Sequence, residues 1–295
     1  MRSHPLFVAY LAFASVCFFW GTTYLGIRMA LETLSPLFLV SGRFLLSGGL
    51  LLAVLKLAGV GLPKGRELLQ IASFGVLTLG VGNTCLTYSE MLIPSSLAAL
   101  FLAVSPIWMV TVEALVPGGE RVNAGAAAGI GMSLLGASLL VGPDVFHEGF
   151  SGAVVRGFLL LQLGGISWSL GSILQRRLKT QVNPFASAAI HQLAAGLFFL
   201  PAALMENAPL EWTPRSLAAL AWLIVFGSIV GYTSYIVSLE RLPVAIVSLH
   251  TYINPLVAAW LGWLFYREPF GRKEMTAMAV IFAGVAIVKR FGHRR

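Results

Sequence analysis

Apolar residues in this chain neither alternate nor recur once per helical turn. They run on for about 20 residues at a time, which at 1.5 Å per residue spans the hydrocarbon core of a bilayer. A membrane barrel would instead show alternation with a period of two. The pattern predicts ten helices at residues 6–29, 36–57, 67–92, 94–116, 122–142, 152–176, 184–205, 215–239, 243–266 and 272–290. Pro36, Pro94, Pro184 and Pro243 stand at predicted starts, and Pro63, Pro143 and Pro209 fall in predicted connections. The first run is too long for a signal-peptide core and lacks a small-residue cleavage pattern, so it reads as the first span. The short connections predict a single integral membrane domain.

Composition agrees with this. Hydrophobic residues make up 57% of the 295 and charged residues 11%, against roughly 25% charged in a soluble domain. Of the Lys and Arg residues, 13 fall on the side that holds both predicted termini and 6 on the other, with Arg43 inside a span. Excess positive charge marks the cytoplasmic face, so both termini are expected in the cytoplasm. Membrane topology thus accounts for the net charge of +8, and no nucleic-acid partner is expected. Cys17 and Cys85 both lie in apolar runs and read as buried free thiols.

The chain also repeats itself. Gly82, Thr84, Ser89, Pro94 and Pro106 recur 149 residues later as Gly231, Thr233, Ser238, Pro243 and Pro255. Trp20, Arg28, Pro36 and Gly48 recur 148 later as Trp168, Arg176, Pro184 and Gly196, and Glu120 and Gly136 as Glu268 and Gly284. The expected fold is therefore all-α, with residues 1–148 and 149–295 as two five-helix copies. Five is odd, so the second copy enters the membrane from the opposite side. Inverted repeats of this kind place a site between them and open it to alternate sides.

Polar groups at membrane depth are costly unless they face protein or a wet cavity. The repeat pairs Trp20 with Trp168, Asn83 with Tyr232, Ser105 with Asn254, and Arg43 with His191. Helical spacing extends these into stripes: Asn83 and Thr87; Phe101, Ser105 and Trp108; Trp168, Ser172 and Gln175; Ser228, Tyr232 and Tyr235; His250 and Asn254. They predict a cavity with aromatic walls and a few hydrogen-bonding groups, suited to a small amphipathic solute. Pro106 and Pro255 would break their helices and mark gating elements, although Ser105 and Asn254 can equally satisfy the carbonyls that proline frees. His250 is the candidate for binding substrate or carrying a proton. Arg43, Glu113 and His191 are gating or coupling candidates, Glu113 also fitting an interfacial carboxylate. Glu120 and Glu268, beside Arg121 and Arg267, read as loop charges. The small residues of the fifth and tenth spans suit scaffold or dimer-contact helices.

No phosphate-cradling loop, His-Glu-x-x-His pair or acidic run for magnesium is present. No cofactor or metal is expected, and no catalytic residues stand out. Phe19-Trp20-Gly21, Arg43-Phe44, Pro94 through Pro106, Gly119-Glu120 and the second copy from Trp168 to Glu268 resemble the EamA-type members of the drug/metabolite transporter superfamily. The second copy departs where Trp168-Ser169 replaces Trp-Gly. The resemblance implies a bacterial inner-membrane carrier, often an exporter, for small metabolites such as amino acids, nucleosides or drugs. The expected function is a secondary transporter working by alternating access, as a monomer or homodimer in the bilayer. The alternatives are a membrane-embedded enzyme or lipid- or nucleoside-handling protein of the same architecture, and a non-transporting partner subunit.

Overall fold

A computed structural model of the chain describes residues 5–93, 98, 101–102, 104–119, 123–148, 151–178, 181–206, 211–266 and 271–291, which form helices and no strand. Arg2, Pro94, Glu120, Arg121, Lys179, Pro209, Arg267, Glu268, Arg294 and Arg295 lie outside the described residues. Among the described residues six helices are long and apolar enough to cross a membrane: α1 (Leu6–Ala30), α2 (Pro36–Leu57), α3 (Gly65–Leu92), α6 (Gly152–Arg177), α7 (Pro184–Met205) and α8 (Pro214–Arg241). Between and after them lie α4 (Ser105–Leu115), α5 (Ala124–Glu148), α9 (Val244–Val247), α10 (His250–Tyr266) and α11 (Arg272–Phe291).

Local chemistry sets many of the starts. Pro36, Pro184 and Pro214 occupy first-turn positions, where their fixed φ suits a helix and no N–H is missed. Asn183 caps α7 through Phe185 N, and Thr213 and Ser216 form a capping box on α8. One expectation fails here. Pro143 is not in a connection, because α5 continues through it to Glu148. A proline in the last turns forfeits one N–H bond without stopping the helix beyond it.

Two of the 28-residue helices are not regular. α3 widens to a π-helix at Val76–Val81, and α8 does so at Leu223–Tyr232. The ninth predicted span is broken as well, but not at its proline. The break is at Ser248–Leu249, six residues before Pro255, and the bonds just upstream of that proline reach only three residues (Thr251 N to Ser248 O, Tyr252 N to Leu249 O). Bonds of the same short type flank Pro106 (Val104 N to Phe101 O, Ile107 N to Val104 O). A proline ring crowds the carbonyl four residues back, so the disturbance falls in the turn before it.

The helices pack through glycines that let backbones touch. A Cβ on Gly48 of α2 would come within 2.8 Å of Leu193 N and 3.0 Å of Ala189 O on α7. A Cβ on Gly196 of α7 would come within 2.9 Å of Leu45 N and 3.0 Å of Ser41 O on α2, whose Ser41 hydroxyl donates to the Gly196 carbonyl. Each contact is the other with its partners exchanged. The same reciprocity joins α5 to α11: Gly136 meets Ile281 N and Ala277 O, and Gly284 meets Ser133 N and Gly129 O. These two helices pack mainly on each other, away from the cavity described next.

Candidate functional site

Where α1, α3, α4, α6, α8 and α10 converge they leave a cavity of about 110 Å³. That is room for a small solute rather than a single water. Three of the helices line it with the same spacing: Leu79, Gly82, Asn83 and Leu86 on α3; Leu102, with Ser105, Pro106 and Met109 of α4; and Leu161, Gly164, Gly165 and Trp168 on α6. Positions i, i+3, i+4 and i+7 form one face of a helix. Glycine is needed at the closest crossings. A Cβ at Gly82 would lie 2.9 Å from the Trp168 ring, and one at Gly164 would lie 2.9 Å from Cys85 Cβ. Trp20, Thr23 and Tyr24 of α1, Arg43 and Phe44 of α2, Gly227 and Tyr232 of α8, and Ser248, His250, Thr251 and Asn254 complete the wall.

Of the residues expected to line a cavity, seven do so: Trp20, Asn83, Ser105, Trp168, Tyr232, His250 and Asn254. Trp20 and Trp168, one from each copy, meet edge to face with ring centroids 5.4 Å apart. Trp20 Nε1 donates to the Gly227 carbonyl at 2.9 Å, which pins the indole to the π-helical part of α8. His250 lies 5.1 Å from Trp20, ring to ring. Its Nδ1–H donates to Val247 O at 2.7 Å, so Nε2 carries a lone pair that meets no acceptor or donor among the described residues. The Asn254 amide satisfies backbone as well as lining the wall, since its nitrogen donates to Cys17 O and His250 O.

The other four lie off the wall. Phe101 and Trp108 miss it because the lining face of this segment runs through 102, 105, 106 and 109, and one residue is about a 100° turn. Phe101 packs on Phe158 instead, and Trp108 Nε1 donates to Gln162 Oε1 at 2.8 Å. Thr87 donates to Asn83 O within its own helix. Tyr235 sits behind both tryptophans, accepting from Trp168 Nε1 and donating to Ser172 Oγ. Their role is to hold the wall rather than to form its surface.

The gating candidates separate in the same way. Arg43 and Pro106 are on the wall and Pro255 is not. Arg43 does not snorkel. It is 5% exposed, and its Nε donates to Ser228 Oγ of α8 at 2.7 Å. His191 is fully buried. It joins a chain in which Thr78 meets Tyr232 (3.1 Å), Tyr232 meets His191 Nδ1 (2.7 Å), and Nε2 meets Gln175 Oε1 (3.1 Å). Gln175 offers an acceptor, so Nε2 carries the hydrogen and Nδ1 accepts from the tyrosine hydroxyl. Glu113 is buried and ion-paired with Arg177, whose Nη1 also donates to Gly118 O.

Thr23, Tyr24 and Gly227 were not anticipated. Thr23 and Tyr24 lie three and four residues from Trp20, so extending that residue's helical stripe would have found them. Gly227 carries no such signal. Among the described residues no group of three His, Cys, Asp or Glu side chains is placed to hold a metal.

The EamA-like transporter family matches this chain twice, over residues 7–142 and 155–290. The chain is 32% identical over 291 residues to the uncharacterized inner membrane transporter YedA of Escherichia coli K12, covering 98% of this chain and 92% of the relative. It is 25% identical over 282 residues to a probable terminal-alkyne amino-acid exporter of Streptantibioticus cattleyicolor, covering 94% and 92%. One solved crystal structure shares the fold with a TM-score of 0.81 at 21% identity, covering 95% of this chain and 96% of that one. The chain belongs to the EamA-like transporter family, as a multi-pass protein of the bacterial inner membrane.

Proposed function

We propose that this protein is a secondary transporter that exports small amphipathic metabolites, amino acids or similar solutes, by alternating access through the central cavity. In this reading the chain crosses the membrane ten times, as two inverted five-helix repeats with both termini in the cytoplasm. The observation that carries it is the cavity itself, built where Trp20 of one copy meets Trp168 of the other. The reciprocal crossings of α2 with α7 and of α5 with α11 support two copies related by a two-fold axis. Such an axis in the membrane plane lets the halves exchange conformations and so exposes one site to either side. The paired π-helical stretches in α3 and α8 suit the elements that would bend, since such stretches mark functional sites in helices. The amino-acid class draws on the exporter relative and on the wall, apolar and aromatic with a few hydrogen-bonding groups.

The test is flux in proteoliposomes. Preloaded vesicles should exchange labelled L-phenylalanine or L-leucine faster than empty ones. Trp20→Ala and Trp168→Ala should each slow that exchange at least about fivefold, since loss of an aromatic contact is worth ~1 kcal/mol beyond area. Vesicles that exchange no amino acid, nucleoside or amphipathic cation would overturn the reading.

A further inference from the structure

A guanidinium carries five N–H donors and cannot accept. In Arg43 one is used, Nε to Ser228 Oγ. No carboxylate pairs with Arg43 among the described residues, where Glu113 goes to Arg177 and Glu32 to Arg215. Nη2 lies beside Gly227, where an added Cβ would come within 2.8 Å of it, and both residues line the cavity. No Asp or Glu lines that wall. A cation held in a low-dielectric cavity with four donors unspent is expensive, and an anionic ligand removes the cost. The repeat mate shows the contrast: both ring nitrogens of His191 are bonded within the protein.

We propose that Arg43 binds the carboxylate of the transported solute, whose apolar part lies against Trp20 and Trp168. This rests on the cavity being the substrate site. A planar fork matches a carboxylate through two parallel hydrogen bonds. A phosphate dianion would bring two charges to one cation, so the cavity favours a monoanion or a zwitterion. The wall supplies no acid for an ammonium group, and a substrate N–H meets only neutral acceptors such as His250 Nε2. The carboxylate is therefore required and the amino group optional.

Binding of four probes to the purified full chain in detergent, read by tryptophan fluorescence, tests this. The probes are L-phenylalanine, 3-phenylpropanoate and their two amides, L-phenylalaninamide and 3-phenylpropanamide. Each acid should bind about 10- to 100-fold tighter than its amide, the size of a charge-assisted hydrogen-bonded contact. Arg43→Gln should bring acid and amide within about twofold of each other, a change that a purely structural arginine would not produce. Gly227→Ala, which keeps the charge but pushes the fork off the wall, should reduce the same preference if Arg43→Gln fails to fold. Amides binding as tightly as acids, or an acid preference that survives in both variants, would overturn the proposal and leave the cavity as a substrate site. Failure of all four probes to bind would overturn both.

Discussion

His191 and His250 differ in what their second ring nitrogen meets. In His191 both nitrogens are satisfied inside the protein, by Tyr232 and Gln175. In His250 only Nδ1 is, and the ring faces the cavity. The first is a structural strut and the second is available to a ligand. Replacing His191 by Leu strands the Gln175 amide oxygen in a buried site and leaves the Tyr232 hydroxyl only Thr78, at about 1–3 kcal/mol for the group left unmade. His191→Leu should therefore lower the thermal midpoint of the purified protein, measured by differential scanning fluorimetry in detergent. His191→Gln, which keeps a donor and an acceptor, should lower it less. The types and depths of these residues were legible in the sequence. The difference between them was not, because it depends on Tyr232, 41 residues from His191, and on the Val247 carbonyl just before the Ser248–Leu249 break.

At the scale of elements, close crossings decide the packing. Lipid tails are as apolar as leucine, so membrane helices associate through contact rather than through hydrophobic burial, and small residues set how near they come. Gly48 and Gly196 meet backbone atoms of the facing helix, which cannot rotate away. Gly48→Ala should cost about 1–3 kcal/mol through overpacking, and Gly196→Ala should match it. At Gly49, one residue on, a Cβ meets nothing within 4 Å. Gly49→Ala should be neutral or stabilising, by up to ~1 kcal/mol from helix propensity. Thermal midpoints of the three variants check this. Equal losses at Gly48 and Gly49 would show that the close crossing does not set the cost. Most helix ends were predictable to within two residues, because proline and the capping residues act locally. The π-helical stretches of α3 and α8 and the break at Ser248–Leu249 were not, since they arise from how neighbouring helices and a proline one turn away redistribute backbone hydrogen bonds.

Across the whole molecule, side chains from the two sequence halves meet one turn beyond Met109, which lines the cavity. Arg177, at the end of α6, pairs with Glu113 of α4 and donates to Gly118 O, while Arg176 donates to Leu242 O at the α8–α9 junction. Glu113 is 2% exposed, so its pairing is shielded from solvent and retains strength. In the proposed alternating-access cycle, opening at that end would release these bonds. Glu113→Gln should shift the population toward the released form by about 5- to 150-fold, the span of a 1–3 kcal/mol coupling. The measurement is the rate at which a membrane-impermeant thiol reagent modifies Met109→Cys, on the cavity wall of α4, in a background lacking Cys17 and Cys85. An unchanged rate would show that the ion pair does not hold that end closed.

Sequence by itself determined the membrane class, most of the helix boundaries and the position of the aromatic and polar residues that matter, because each follows from local rules of hydrophobic length, proline geometry and helical spacing. Its 148- and 149-residue repeat named the pairs that the tertiary structure joins, Trp20 with Trp168 and the Gly48 crossing with the Gly196 crossing. Only the tertiary structure decided which residues of each stripe face the cavity, since a rotation of one residue moves a side chain about 100° around its helix. It alone distinguished Arg43, with donors unspent beside Gly227, from His191, with none to spare. Pairing across more than a hundred residues depends on how helices cross, and no local feature of a span encodes the crossing.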